Sequence, residues 1–249
     1  MPLPVQYFDL EIEKIVQENS VIRTIIFTKP ENFNNMPGQF CWLTVPELRK
    51  STNNIPRTPL AIASGMFEDQ LIFSFRNWGG LTKLFFEKKI GDILSVSQPL
   101  GLHAPVDLFN SNKTICIAGG TGIVPIRSLV NSMKSKKHLK VFYGARTPSE
   151  LLYKEEIYQW DSEIIVEKSD EGANWFGQQG FVTKLLTQSI FDSYKYCYIC
   201  GPIPMMQNAV AVLKELGFTS QNIYVSLEKI ENDEVIGPVF PVSDSNVTI

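Results

Sequence analysis

The sequence predicts a two-domain fold: a six-stranded antiparallel β-barrel followed by an α/β domain on a five-stranded parallel sheet. Three observations carry that expectation. Up to about Gln98 the chain is a series of short β-type runs split by turn residues, and beyond Lys113 apolar runs alternate with helix-patterned stretches. Between them lies the breaker cluster Asn110-Ser111-Asn112. The implied boundaries are 1–110 for the barrel, 111–228 for the α/β domain and 229–249 for a tail. With 249 residues, 44% of them hydrophobic and 20% charged, the chain can fill two ordinary cores. A net charge of −3 gives no electrostatic case for a nucleic-acid partner. The chain opens with no basic segment leading into an apolar run, and no stretch approaches the roughly 18 apolar residues of a membrane helix. The expectation is a cytoplasmic location with no membrane span.

Taken in order, Phe8 to Val16 alternates apolar and polar residues, as a half-buried antiparallel strand does. Val21 to Thr28, Gln39 to Val45, Leu60 to Ser64, Leu71 to Phe75 and Ile93 to Ser97 read as the next strands, with Pro37-Gly38 and Gly91-Asp92 as turns. Glu47 to Pro56 is a polar surface loop, and Leu81 to Lys88 is one short helix. Leu108 to Asn112 reads as the connector.

In the second domain the expected strands are 114–118, 140–143, 163–167, 196–200 and 222–227. Helices are expected at 124–135, 149–160, 181–188 and 205–216, and the alternation implies a parallel sheet. Ligands of such sheets lie beyond the carboxyl ends of the strands. The tail is acidic, then turn-like, and fits no regular element; Asn246-Val-Thr248 is a formal glycosylation sequon without a signal peptide to use it.

The four cysteines, Cys41, Cys116, Cys197 and Cys200, sit in apolar contexts and read as buried thiols. Cys197-Tyr-Ile-Cys200 is a C-x-x-C in a strand pattern without a second pair, and the two histidines lie far apart, so no metal is expected.

The stretch Thr114 to Ala118 is a short apolar run that leads directly into Gly119-Gly120-Thr121-Gly122, and a helix pattern follows with Pro125 in its first turn. Glycines at a strand-to-helix turn let backbone amides approach a pyrophosphate, and the helix start adds partial positive charge. The spacing is not G-x-G-x-x-G, and a plain tight turn would need the same glycines. Arg76-Asn-Trp-Gly79-Gly80-Leu81-Thr82 is a second glycine-bearing strand-to-helix turn, which also reads as an ordinary capped helix start.

With Ala118 to Pro125 followed by Ile-Arg-Ser-Leu, the chain resembles the ferredoxin-NADP reductase superfamily. It looks most like the flavin subunits of dihydroorotate dehydrogenase and of sulfhydrogenase or sulfite reductase complexes, from about Tyr7 to Glu228. Met36-Pro-Gly-Gln-Phe resembles the family's turn into its third barrel strand, and Pro99-Leu-Gly-Leu its segment after the last one. The resemblance implies a flavin on the barrel, a nicotinamide nucleotide on the α/β domain and an active site between them. For the flavin it implies Thr58, Pro59, Leu60, Ala61 and Ile62, then Arg76, Gly79, Gly80, Leu81 and Thr82. Here the family's Arg-x-Tyr-Ser is Thr58-Pro-Leu60-Ala61, so side-chain bonds from that strand are in question and backbone contacts from Leu60 and Ile62 remain. For the nucleotide it implies Gly119, Gly120, Thr121, Gly122 and Arg146, with Gly201, Pro202 and Met205 of Cys200-Gly-Pro-Ile-Pro-Met. Cys200 is implied as the catalytic thiol beside the nicotinamide. Gly172 to Val182, with Trp175 and Gly180, matches the sulfhydrogenase-type pattern.

The family members continue past Ser226-Leu-Glu228 into a cysteine-rich segment holding a [2Fe-2S] cluster, whereas here the tail has no cysteine, so no iron–sulfur cluster is expected. The expected cofactors are FAD, ahead of FMN, and NAD(P)H. NADH is favoured because Glu167, past the end of a strand, would lie near the adenosine ribose and repel a 2′-phosphate. The expected partner is a redox protein, an iron–sulfur or catalytic subunit. Two other readings stay open: a regulatory or non-catalytic electron-transfer subunit, and a nucleotide-binding module that has lost its flavin.

Overall fold

The structure, a computed structural model, describes residues 5–50, 55–170, 175–227, 229–231, 234–236 and 239–242. The sequon at 246–248, Gly172 and Glu228 lie outside them. The first domain holds strands β1 (Tyr7–Glu11), β2 (Lys14–Gln17), β3 (Ile22–Thr28), β4 (Phe40–Thr44), β5 (Thr58–Ala61), β6 (Gln70–Arg76) and β7 (Ile93–Ser97), with helix α1 (Gly80–Glu87). They form two antiparallel sheets, ordered β1-β7-β4-β5 and β2-β3-β6, around one apolar core that includes Phe27, Leu43, Phe73, Phe85 and Val96. The stretch 8–16, expected as one strand, is two. Ile12 is fully buried and donates to Asp92, while Glu13 donates to Ile26, so the chain crosses there from the β7 sheet to the β3 sheet. Alternation alone does not reveal such a crossing, because both halves keep the same period.

The connector is not a plain loop: α2 (Val106–Ser111) is a short helix, with Val106 and Phe109 buried. The second domain then runs β8 (Thr114–Gly119), α3 (Ile123–Val130), β9 (Leu139–Ala145), α4 (Lys154–Ile157), β10 (Ser162–Val166), β11 (Gln178–Gln179), α5 (Gln188–Ser193), β12 (Tyr196–Cys200), α6 (Ile203–Glu215) and β13 (Ile223–Ser226). After it come β14 (Lys229–Glu231), β15 (Glu234–Ile236) and β16 (Val239–Pro241). The five expected parallel strands are present in the order β10-β9-β8-β12-β13. The sheet is wider than expected: β11 adds in parallel to β10, and β16 returns antiparallel to β13. The tail expected to be irregular therefore supplies an edge strand and a β14–β15 hairpin.

Three helices also differ, the one expected at 124–135 ending already at Val130. The stretch 149–160 is a 3-10 turn (Pro148–Glu150) and then α4, separated by Tyr153 in the left-handed region at φ 53°, which a continuous helix cannot contain. The stretch 181–188 is a 3-10 turn (Val182–Leu185). Val182 there drops into the space above Gly144, where an added Cβ would be 3.0 Å from its own.

All eight residues of α3 are buried. The helix lies between the parallel sheet and the barrel, and Ile22, Ala63 and Ile72 of the barrel join Ile123, Ile126 and Val141 in one apolar cluster. The two domains thus share a core.

Candidate functional site

The parallel sheet reverses direction at its middle: from β8 the chain builds outward through β9 and β10, then returns to add β12 and β13 on the other side. Open α/β sheets hold their ligands at this switch point, outside the carboxyl ends of the strands. The Gly119–Gly122 loop follows β8, and the Cys-Gly-Pro turn follows the neighbouring β12. Their glycines are there for contact. A Cβ on Gly122 would lie 2.2 Å from the Cys200 carbonyl oxygen, and one on Gly119 would lie 2.4 Å from Met205 Sδ and 3.0 Å from Pro202 Cδ. One on Gly201 would be 3.0 Å from the Gly119 nitrogen. Gly120 is different: it has φ +53° and open space where a side chain would start, so the loop presents bare backbone there. Thr121 beside it is half-buried. No side chain caps the start of α3, so its first amides are not consumed by one.

Cys200 ends β12 in register with Ala118 and Ser226, half-buried, on the sheet face that packs toward α3 and the barrel. Cys197 points to the opposite face, in the cluster with α6. The C-x-x-C is therefore split across the sheet and cannot form a disulfide. Burial pushes the thiols of Cys41, Cys116 and Cys197 up, which keeps them protonated at neutral pH. Among the described residues no group of three His, Cys, Asp or Glu side chains is placed to hold a metal ion.

On the other side of the loop, Arg146 follows β9 and Glu167 follows β10. The ladder continues between them, with Glu167 N–H on the Ala145 carbonyl and Lys168 N–H on that of Arg146, both at 3.0 Å. Both side chains are exposed. Glu167, Arg146, the glycine loop and Cys200 thus stand on four adjacent strand ends, spanning three strand spacings or roughly 14 Å. Asp170 serves the fold instead: it accepts Ser149 N–H at 2.9 Å and Ser149 Oγ–H at 2.8 Å, and the hydroxyl holds its carboxyl below the usual range. Neither Thr147 nor Ser149 caps α4, whose preceding residue is Tyr153.

In the barrel, β5 is the edge strand of its sheet. Ile62 N–H donates to the Gln39 carbonyl at 3.0 Å, while Trp42 N–H faces away from β5, to Ser97 Oγ at 2.9 Å. Counting in twos, Thr58, Leu60 and Ile62 turn their backbone groups to β4, and Pro59 and Ala61 turn theirs to the open edge. The backbone contacts expected from Leu60 and Ile62 are therefore already committed, and Ala61 N–H is the donor this edge offers, since proline has none. The side chains divide in the same way. Ile62 and Leu60 pack on the barrel core, so Arg57, Pro59 and Ala61 share the outer face. The Arg57 guanidinium lies over the ring of Trp42, 4.5 Å from its centroid.

At the second glycine turn, Gly79 and Gly80 have φ of +87° and +53° with nothing within 4 Å of an added Cβ, and α1 starts without a side-chain cap. That open cradle of amides fits a phosphate. Three expected ligands are already engaged, the first being Gly79, whose N–H donates to Asn77 Oδ1 at 3.0 Å and leaves the amides of Gly80, Leu81 and Thr82 to the cradle. Thr82 accepts from Trp78 N–H at 2.9 Å and donates to the Gly79 carbonyl at 2.7 Å, holding the turn in shape. Arg76 forms an ion pair with Glu150 of the second domain and lies over Trp78, whose ring is 80% exposed. Leu81 packs on the barrel core.

Sequence reasoning missed one group altogether: Arg127 on α3, only 5% exposed, with Glu68 from the barrel, Glu156 and Tyr153 around it. An Arg-Ser pair inside the otherwise apolar Ile123–Val130 was the available signal. Burial works against its charge, and the Glu68 hydrogen bond with the charges of Glu68 and Glu156 outweighs it, raising its pKa.

Comparison with known proteins agrees with this architecture. The chain has a ferredoxin-NADP reductase-like fold. It overlays a ferredoxin NADP+ reductase from Neisseria gonorrhoeae, solved with bound FAD and NADP, with a TM-score of 0.75 over 89% of this chain and 98% of that one, at 16% identity. Residues 116–211 match the oxidoreductase NAD-binding domain family. The chain's homologues include sulfhydrogenase 2 subunit gamma of Pyrococcus furiosus, 27% identical over 220 residues, covering 80% of this chain and 74% of that one. Another is the probable dihydroorotate dehydrogenase B (NAD(+)) electron transfer subunit of Methanocaldococcus jannaschii, 29% identical over 222 residues, covering 88% and 76%.

Proposed function

We infer that this chain is a flavin-dependent NAD(P)H oxidoreductase that passes electrons from NAD(P)H through FAD to an acceptor or a partner protein. One observation carries the reading: the Gly119–Gly122 loop is packed directly on the Cys200-Gly201 turn at the sheet's switch point, beside the barrel that offers the open Gly79-Gly80 cradle. The flavin, when bound, supplies the electron chemistry, taking the hydride of NAD(P)H as a pair and releasing electrons to the acceptor. The protein's part is placement and exclusion of water. Amides of Gly120, Thr121 and Gly122 at the start of α3 take the nucleotide pyrophosphate, with Arg146 beside them. Pro202 and Met205 shape the nicotinamide end, where Cys200 presents its sulfur. Ala61 N–H and Pro59 C=O on the open edge of β5 would hold the flavin ring, and the Gly79–Thr82 turn would hold its phosphate.

FAD is the preferred flavin, and the cysteine-free tail supports a chain without its own iron–sulfur cluster. The names of the two relatives support a partner subunit as the electron acceptor. Among the described residues no helix is long and apolar enough to cross a membrane. The first test is direct. Purified protein is expected to carry, or take up, one FAD per chain without stoichiometric iron or acid-labile sulfide, and NADH is expected to bleach the flavin absorbance. A colourless protein indifferent to added FAD would instead support a nucleotide-binding module that has lost flavin, the reading favoured by the engaged Arg76 and Thr82.

Two substitutions probe the ligands. Glu150 competes with a flavin phosphate for Arg76, so Glu150→Gln is expected to tighten FAD binding by about tenfold, and Arg76→Ala to weaken it by roughly ten- to a hundredfold. Titration by flavin fluorescence reads both, and an affinity that moves the same way in the two variants would contradict the competition. A preference for NADH of about ten- to a hundredfold in kcat/KM is also expected, from the exposed Glu167 carboxylate at the ribose end. Glu167→Ala should narrow it; equal use of NADH and NADPH by the unaltered protein would remove the argument.

A further inference from the structure

The seam between barrel and α3 is built from polar contacts at regular helical spacing. Arg127, Ser128, Asn131 and Ser132 follow one another along a single face of the helix and its C-terminal end. Opposite them runs the chain that leaves β5. Arg127 Nη1 donates to the Ala63 carbonyl at 2.8 Å, and Ser128 Oγ–H to the Ser64 carbonyl at 2.7 Å. Gly65 approaches so closely that an added Cβ would be 2.7 Å from the Asn131 carbonyl oxygen. Met66 N–H donates to Ser132 Oγ at 2.8 Å. Four successive barrel residues are thus clamped to one helix.

Arg127 is the centre of this clamp. Its guanidinium also meets Glu68 Oε2 at 3.1 Å and Oε1 at 3.0 Å, and its Nε donates to Glu156 Oε1 at 2.9 Å. It lies over the Tyr153 ring at 5.2 Å, and that tyrosine reaches back to the barrel with its hydroxyl on Ser74 Oγ at 2.6 Å. One cation therefore ties the β5–β6 connection, α3 and α4 together. Position in the chain gives the tie its significance. Ala63 is two residues beyond Ala61, the donor on the open flavin edge, and Arg127 is one helical turn beyond Ile123, where the nucleotide loop becomes helix. Of the hydrogen bonds along this seam, that of Arg127 to Ala63 lies nearest in the chain to both the flavin strand and the nucleotide loop.

We propose that Arg127 is a positioning residue that fixes the flavin edge of β5 against the nicotinamide loop, so that its loss slows hydride transfer without weakening either cofactor. The proposal rests on the function inferred above. A group whose work is to hold two sites in register should leave the separate binding constants alone and alter what requires both ligands at once. Glu68 and Glu156 have 29% and 36% of their side-chain surface exposed, so water can take over their charges when the guanidinium is removed.

The experiment uses the full chain with FAD bound and compares Arg127→Met with Glu68→Gln, which keeps the shape and the Ala63 bond but removes the barrel-side carboxylate. Dissociation constants for FAD and for NAD+ are measured separately. Flavin reduction by NADH is followed by stopped flow, together with the long-wavelength charge-transfer absorbance of the nicotinamide–flavin pair. The expected result for Arg127→Met is binding of each cofactor within about threefold of the unaltered protein, a hydride-transfer rate lowered by about thirtyfold or more, and loss of the charge-transfer band. Glu68→Gln is expected to show the same pattern at about a third of the size on a logarithmic scale. It decides alone if Arg127→Met fails to fold. Unchanged rate and charge-transfer absorbance in a folded variant overturn the proposal, as does weakened binding of either cofactor that accounts for the slower rate. If the unaltered protein binds FAD but is not reduced by NADH, the inferred function itself fails, a result distinct from either.

Discussion

Gly122→Ala is expected to lower kcat/KM for NADH by about ten- to a hundredfold while leaving flavin content unchanged. The added Cβ would stand 2.2 Å from the Cys200 carbonyl oxygen, 2.5 Å from its carbon and 2.7 Å from the Gly201 nitrogen. All three are backbone atoms, so no side chain can swing aside. The loop must withdraw from the Cys-Gly-Pro turn, and overpacking of this kind typically costs about 1–3 kcal/mol. The two halves of the nucleotide site then no longer match. The barrel takes no part in that contact, so flavin uptake is the internal control. Gly120→Ala makes the contrast: it meets no atom but must adopt φ +53°, a strain of about 1 kcal/mol, and should cost far less. Steady-state kinetics with an artificial acceptor reads both. Similar losses from the two alanines, or less than threefold from Gly122→Ala, would show that the loop and turn do not act as one surface.

Cys200→Ser is expected to slow flavin reduction by NADH by about ten- to a hundredfold, again without loss of flavin. The sulfur is half-buried at the end of β12, with an apolar cluster behind it. A serine hydroxyl is smaller, less polarizable and needs a hydrogen-bond partner there, so it draws water into a site that works by excluding it. Because the change acts on the reacting geometry, the rate with NADH deuterated at C4 should show a larger isotope effect in the variant. An unchanged reduction rate, or release of the flavin, would remove Cys200 from the active site.

What could be read in advance followed from signals local in sequence. The strand-to-helix junction at Gly119–Gly122, the Pro125 that starts α3 and the Cys200-Gly-Pro turn each state their own geometry within a few residues. Alternation and apolar runs likewise mark β3, β6, β8 and β12. Errors came where neighbours decide. The 149–160 stretch has the composition of one helix, yet Tyr153 is turned left-handed while its hydroxyl bonds Ser74 of the barrel. Residues 239–241 look irregular by themselves and become a strand because β13 offers an unpaired edge.

The same division runs through the site. The two-domain architecture, the glycine loop and the lack of cysteine in the tail are legible from residue type and spacing alone. Which groups are available to ligands follows from packing. It committed the amides of Leu60 and Ile62 to β4 and left that of Ala61 at the edge, a choice made by strand register. It gave Arg76 to Glu150 and Thr82 to its own turn, and it buried Arg127 among partners 59 and 29 residues away in the chain. Hydrogen bonds and ion pairs are satisfied by whatever lies within about 3 Å in space, and distance along the chain does not encode that.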